Sequence, residues 1–242
     1  MTRIAMWSGP RNISTALMRS FGNRSDTFVS DEPFYAHYLI ETGINHPLRE
    51  EVIKYGEISW DAVVKSITGD IPNYKKVWYQ KHMSQHNLPK KDLTWISKMN
   101  NILLIRHPGE VILSYIKKYE VTSITQLGYL QLNTLFNMLN DDNGHAPLII
   151  DARDLLKDPE GMLQELCKRL IIPYYDEMLT WPAGRMESDG IWGKYWYGNV
   201  ERSTGFQRYA VNNPIVPSEY EELFGDCMKY YQQLYQHRIR IA

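Results

Sequence analysis

Residues 3–15 read Arg3-Ile4-Ala5-Met6-Trp7-Ser8-Gly9-Pro10-Arg11-Asn12-Ile13-Ser14-Thr15, and this stretch decides the fold. An apolar run long enough for one strand enters a Ser-Gly-Pro-Arg turn, and an amphipathic helix follows with Leu17, Met18 and Phe21 on one face. Ser14 or Thr15 is placed to cap that helix and Gly22 to close it. Strand, tight turn and helix start make an anion seat: the unpaired N–H groups of the first helical turn and the positive end of the helix dipole converge on one point, with Arg11 beside it. Phosphate or sulfate fits there. The ATP-binding pattern of a glycine, four residues and then Gly-Lys-Ser/Thr is missing, so plain ATP is not the expected ligand.

Outward from this stretch, short apolar runs alternate with longer helical patterns. Strands are expected at Arg3–Trp7, Thr27–Ser30, Val77–Gln80, Ile102–Ile105 and Pro147–Ile150. Helical patterns cover Glu32–Gly69 and Thr122–Asn140, a helix opens at Asp158-Pro159, and another runs from about Ser218 to His237. Met162, Leu163, Leu166 and Leu170 form one stripe of the third of these, which is core. The order predicts an α/β protein with a mostly parallel sheet of about five strands and helices on its faces. Ligands of such sheets sit beyond the carboxyl ends of the strands. The stretch from Trp181 to Pro217, crowded with Gly, Trp, Tyr and Asn, lacks a helical period and reads as a long ordered loop of functional character.

The composition narrows the class. With 242 residues, 43% of them apolar, the chain reads as one domain over 1–242. Its 27 basic and 28 acidic side chains nearly balance, which argues against duplex nucleic acid or an anionic membrane surface as a partner. Cys167 and Cys227 lie far apart in helical patterns, so neither a disulfide framework nor a metal site is expected, and a reducing cytoplasm is. Met1-Thr2-Arg3 leads into a strand rather than an apolar signal segment, and aliphatic runs such as Ile102–Ile105 fall far short of the roughly 20 residues of a membrane span.

A second anchor follows the fourth strand, in Arg106-His107-Pro108-Gly109-Glu110-Val111-Ile112-Leu113-Ser114. Proline at the first helical position starts a helix at the sheet edge, which leaves Arg106 at the crevice and Ser114 about two turns along. A planar guanidinium fork with a hydroxyl suits a second, separate phosphate.

Two anion seats at neighbouring strand ends resemble those of the sulfotransferases that use 3′-phosphoadenosine 5′-phosphosulfate (PAPS). Their Pro-Lys-Ser-Gly-Thr-Thr motif, or its arginine version, is similar to Pro10-Arg11-Asn12-Ile13-Ser14-Thr15, with Ile13 where many relatives carry glycine and Arg11 in place of the usual lysine. Their arginine followed eight residues later by serine resembles Arg106 and Ser114, and the Asp151–Pro159 stretch resembles a Tyr-Glu-Asp-Leu and Asp-Pro run after a late strand. The resemblance implies a P-loop-like three-layer α/β/α fold with PAPS as donor. It also implies that backbone amides from Arg11 to Thr15 and the Ser14 and Thr15 hydroxyls hold the 5′-phosphosulfate, while Arg106 and Ser114 hold the 3′-phosphate. The family's C-terminal Arg-Lys-Gly element has no copy, and Lys194, Arg202 and Ser203 are the available substitutes.

Sulfuryl transfer is an in-line displacement governed by positioning and charge stabilisation, with Arg11 as the cation at the bridging oxygen. A base for the acceptor hydroxyl is the remaining requirement. Lys81-His82, after the third strand, resembles the Lys-Thr-His or Lys-x-His segment of the cytosolic branch with the histidine one residue earlier, and Glu32 resembles the Glu-Pro element of carbohydrate-type members. Imidazole has the better intrinsic pKa, whereas a carboxylate needs burial to raise its own. The expected acceptor is a small molecule or carbohydrate, seated over Phe34–Gly69 and the aromatic loop. Other readings stay open: a self-capping turn for the first loop, a surface ion pair for Arg106, a solvated His82, a first-turn acid for Glu32. At the level of function, a small-molecule kinase and a non-catalytic nucleotide-binding relative are the alternatives.

Overall fold

In the computed structural model, which describes residues 1–141, 146–210 and 213–241, the aliphatic runs form five strands. They are β1 (Thr2–Ser8), β2 (Thr27–Asp31), β3 (Val77–Met83), β4 (Asn100–Ile105) and β5 (Leu148–Asp151). The order across the sheet is β2-β3-β1-β4-β5, and every pairing is parallel. The helices in chain order are α1 (Ser14–Gly22), α2 (Tyr35–Thr42), α3 (Arg49–Tyr55), α4 (Trp60–Thr68), α5 (Pro108–Tyr115), α6 (Ile124–Leu127), α7 (Tyr129–Asp141), α8 (Ala152–Lys157), α9 (Pro159–Arg169), α10 (Gly193–Trp196), α11 (Gly198–Glu201) and α12 (Glu221–Gln236).

Period-two alternation along buried strands sends successive side chains to opposite faces, and two cores result. Ile4, Met6, Ile102, Leu104 and Ile150 pack against Leu17, Met18 and Phe21 of α1 and Met162, Leu163 and Leu166 of α9. Ala5, Trp7, Leu103, Ile105 and Ile149 pack against α4, α5, α7 and α12 on the other face. This is the expected three-layer α/β/α arrangement. Burial of Leu17, Met18 and Phe21 stabilises the α1 seam by roughly 1.5–3 kcal/mol for each side chain. A Phe21→Ala change, which also loses the stacked contact with Tyr79, would cost roughly 3–5 kcal/mol.

Where the helical pattern was continuous in the sequence, the chain breaks it. The expected helix over Glu32–Gly69 is three pieces, separated at Gly43 and Leu48, which adopt left-handed φ of 67° and 62°, and at the extended Gly56. Thr122–Asn140 divides at Gly128 (φ 76°), where a Cβ would collide with the Ser84 hydroxyl. The expected start at Asp158-Pro159 holds, with Asp158 Oδ1 accepting the Gly161 N–H at 3.0 Å. The loop from Trp181 to Pro217 contains the single turns α10 and α11, and its positions 211–212 fall outside the described residues. Among the described residues no helix is long and apolar enough to cross a membrane.

Candidate active site

A cavity of about 370 Å³ opens where β1 to β4 end, and every residue of the 10–15 loop lines it together with Arg106, Ser114 and Glu32. The loop begins at Gly9, where a Cβ would collide with the Leu127 carbonyl, so only glycine lets the turn pack this closely on α6. Ile13, not a hydroxyl residue, sits at the N-cap of α1, and no side chain caps the helix. The expected Ser14 or Thr15 cap is therefore replaced: Asn12 Oδ1 accepts the Ile13 N–H at 2.8 Å while Asn12 Nδ2 ties the loop to the Leu104 carbonyl at 2.9 Å. The first helical bond of α1 runs from Leu17 N–H to the Ile13 carbonyl at 3.0 Å. The N–H groups of Ser14, Thr15 and Ala16 come before it and have no partner within the helix, these three residues line the cavity, and both hydroxyls are free of capping duty.

Arg11 adopts a left-handed φ of 56°, a conformation that costs a non-glycine residue roughly 1–3 kcal/mol and that clusters at functional sites. Its Nε donates to Ser114 Oγ at 3.0 Å, and its carbonyl accepts from Arg106 Nη1 at 2.7 Å. The two expected anchors thus meet through Arg11. Burial and the neighbouring Arg106 charge both depress the Arg11 pKa, so two guanidinium groups stand against each other in a half-buried wall. An anion between them would offset their mutual repulsion. Arg106 Nε is meanwhile held by Glu110 at 2.9 Å, and Arg153 holds the other Glu110 oxygen at 2.9 Å. Burial alone would raise the Glu110 pKa, but the bonds from Arg106 and Arg153 keep it below its ordinary value. The cluster retains a net positive charge.

The opposite wall carries carboxylates. The register of β2 against β3 sets Asp31 opposite Lys81. Lys81 Nζ donates to Asp31 Oδ1 at 2.9 Å, to Glu32 Oε1 at 2.5 Å and to the Tyr197 hydroxyl at 2.6 Å, with the lysine side chain 1% exposed. Glu32 also takes a left-handed φ, 44°. Burial raises its pKa most, opposed by Lys81 and reinforced by Asp31. A carboxyl of raised proton affinity on a cavity wall can act as a base.

His82 is corrected by the structure. Expected just after the third strand, it lies inside β3, which continues to Met83, and alternation turns it away from the cavity that Lys81 and Met83 line. Its ring stacks on Trp7 with centroids 4.3 Å apart and touches Phe34 and Trp95. Burial, with the Lys81 charge adding, lowers its pKa to about 3. It is a neutral core residue, neither solvated nor aimed at the acceptor space. Of the substitutes in the aromatic loop, Ser203 lines the cavity, whereas Lys194 and Arg202 are exposed and outside it. The cavity end beyond Glu32 is formed by Tyr35, Tyr38 and His46 with Trp196 and Tyr197, drawn from the two regions expected to flank an acceptor, and by His86 from the turn after β3, which was not expected there. Burial depresses both His46 and His86, so this end is uncharged near neutrality. In the sequence Asp31 and Lys81 stand beside the expected Glu32 and His82 without a role of their own, and Tyr197 belongs to the aromatic loop expected near the acceptor. The adjacent carboxylates Asp31-Glu32 at one strand end and a lone lysine in the neighbouring strand were the available signal.

Comparison with known proteins adds a family. A family model described as a sulfotransferase domain matches residues 2–238. Two Arabidopsis thaliana proteins, called branched-chain-amino-acid aminotransferase-like protein 2 and protein 1, are each 36% identical to the chain over 98% and 97% of its length. The chain spans about 42% of the length of these curated relatives. Among solved structures, the sulfotransferase domain from the curacin biosynthetic pathway superposes with a TM-score of 0.58 at 16% identity, covering 97% of both chains. A sulfotransferase from Alicyclobacillus acidocaldarius gives 0.56 at 11% identity, covering 99% of this chain and 97% of that one. At such identities the likeness is one of fold.

Proposed function

Because the chain belongs to the sulfotransferase-domain family, we propose that it transfers the sulfuryl group of PAPS to a hydroxyl of a small-molecule or carbohydrate acceptor. The observation that carries this reading is the shared cavity: the 10–15 loop, Arg106 and Ser114 on one wall and Glu32 on the other all face one space of about 370 Å³. The N–H groups of Ser14, Thr15 and Ala16 and the Ser14 and Thr15 hydroxyls would hold the 5′-phosphosulfate, with Arg11 as its counter-charge. Arg106 and Ser114 would hold the 3′-phosphate. Opposed guanidinium groups and unpaired helix N–H donors are the donor set that a nucleotide with two separate anionic groups requires. When bound, the nucleotide supplies the sulfuryl group. Arg11 and the helix start then stabilise charge on the oxygens around it, and Glu32 accepts the proton of the acceptor hydroxyl. The uncharged aromatic end formed by Tyr35, Tyr38, His46 and Trp196 would orient the body of the acceptor.

Thermal denaturation with adenosine 3′,5′-bisphosphate tests the nucleotide site, and transfer of labelled sulfate from PAPS to an acceptor library tests the reaction. Stabilisation by the bisphosphate without magnesium and a sulfated product are expected. Stabilisation by ATP and magnesium alone would overturn the reading in favour of a kinase. Amino transfer from leucine to 2-oxoglutarate without any sulfated product would overturn it in favour of the chemistry in the plant relatives' names.

A further inference from the structure

Glu32 is one corner of a buried network whose other members are Asp31, Lys81 and Tyr197. An ammonium has three N–H donors, and all three of Lys81 are engaged, by Asp31, Glu32 and Tyr197. No donor is left for an oxygen of a transferring group. Tyr197 is saturated as well: its hydroxyl accepts from Lys81 and from Trp192 Nε1 at 3.1 Å, and it lies 2.8 Å from Asp31 Oδ2, where it donates. Asp31 Oδ2 further accepts the Gly190 N–H at 3.0 Å, which ties the Trp181–Pro217 loop to the same point. Glu32 is held through Oε1 by Lys81 and, more weakly at 3.3 Å, by the minor share of the one Tyr197 proton, whose main acceptor is Asp31. Its Oε2 has no hydrogen-bond partner among the described residues, yet it is not among the fully buried unpaired atoms, and Glu32 lines the cavity.

We infer that Asp31, Lys81 and Tyr197 are positioning residues that clamp one oxygen of Glu32 and present the other, Oε2, to the acceptor hydroxyl. The inference rests on Glu32 as the base in the function proposed above. With Asp31 and Glu32 ionised and Lys81 protonated the network carries one net negative charge, and a proton arriving at Glu32 neutralises it. The hydroxyl proton passes to Oε2 while the acceptor oxygen bonds to sulfur and the bond from sulfur to the bridging phosphate oxygen breaks, its electron pair staying on the phosphate. The groups facing Glu32 are Asp31 from β2, Lys81 from β3, Tyr197 from the loop and Tyr35 from α2, whose own pKa the Glu32 charge helps to raise. Lys81 and the Tyr197 hydroxyl lower the proton affinity of Glu32, and Asp31 raises it.

The clamp therefore predicts shifts of opposite sign, which mere loss of packing would not give. Tyr197→Phe should move the acid limb of the kcat/KM profile to higher pH, Lys81→Met should move it further the same way, and Asp31→Asn should move it to lower pH. Tyr197→Phe should also lower kcat about 10- to 100-fold while leaving the KM for PAPS unchanged, as expected for a misplaced reacting group. The Glu32 carboxyl band, isolated by infrared difference against Glu32→Gln, should show the same three directions in the resting protein and needs no acceptor. Unmoved limbs and an unmoved band in Tyr197→Phe and Asp31→Asn would overturn the clamp. If Glu32→Gln kept full sulfuryl transfer, the base assignment itself would fall, and the infrared titration would still report on the network. A clamp variant that does not fold leaves the conservative Tyr197→Phe, which keeps the ring, as the deciding one.

Discussion

Lys81 and His82 are neighbours in β3, equally buried and opposite in charge and surroundings. Lys81 is charged, paired on three sides and faces the cavity; His82 is neutral, stacked among aromatic rings and faces the core on the other side of the sheet. One residue of register decides between chemistry and packing. The lesson is that burial by itself does not identify a functional residue, since both side chains are about 1% exposed. What separates them is whether the surroundings stabilise a charge or remove it.

Substitutions on the two faces should fail in different ways, and the largest effect is expected on the cavity side. Glu32→Gln should lower kcat by about 10²- to 10⁴-fold, the usual contribution of a general base, with the melting temperature nearly kept. Steady-state kinetics beside calorimetry checks this. On the core side, His82→Ala removes a stacked ring from among Trp7, Phe34 and Trp95 and should destabilise the fold by roughly 2–4 kcal/mol in denaturant titrations. A His82→Ala protein that stayed fully stable but lost turnover would erase the contrast. Arg106→Ala, on the nucleotide wall, deletes a charged donor worth about 1.5–3 kcal/mol and should weaken adenosine 3′,5′-bisphosphate roughly 10- to 100-fold in isothermal titration. Little change in kcat at saturating donor should accompany it.

Per pH unit the effect is smaller, and it sharpens the comparison through pH. His82 in the unfolded chain takes up a proton below its ordinary 6.5, whereas in the fold burial delays this until about 3. Between those values the unfolded state binds more protons, so the contribution of His82 to stability is full above 6.5 and declines as pH falls. In His82→Phe the acid-side loss of stability should be shallower than in the parent by up to about 1.4 kcal/mol per pH unit. Melting curves across this range measure the difference.

Much of the fold was legible because aliphatic runs are strands almost wherever they are bounded by turn residues. Runs such as Ile102–Ile105 had no competing reading, and Asp158-Pro159 marked a helix start that the chain uses. The end of β3 was not legible. Gln80-Lys81-His82 looks like the polar edge of a strand, but pairing with β2 runs to Lys81 and pairing with β1 carries the ladder to Met83, and all three residues are buried. The helical stretch after Glu32 misled for another reason: Gly43, Pro47 and Gly56 were breakers within it, and the chain uses them, leaving residues 43–48 and 56–59 outside the helices.

The local order of residues determined the strand-turn-helix of the 10–15 loop, the arginine at the end of β4 and the serine two turns beyond, because each depends on neighbours within a few positions. The meeting of these anchors through Arg11, and the gathering of Asp31, Lys81 and Tyr197 around Glu32, were decided only in three dimensions. Those contacts join residues up to 166 positions apart, and charge pairing over such separations leaves no period or motif in the chain. It exists only once the sheet has brought the strand ends together.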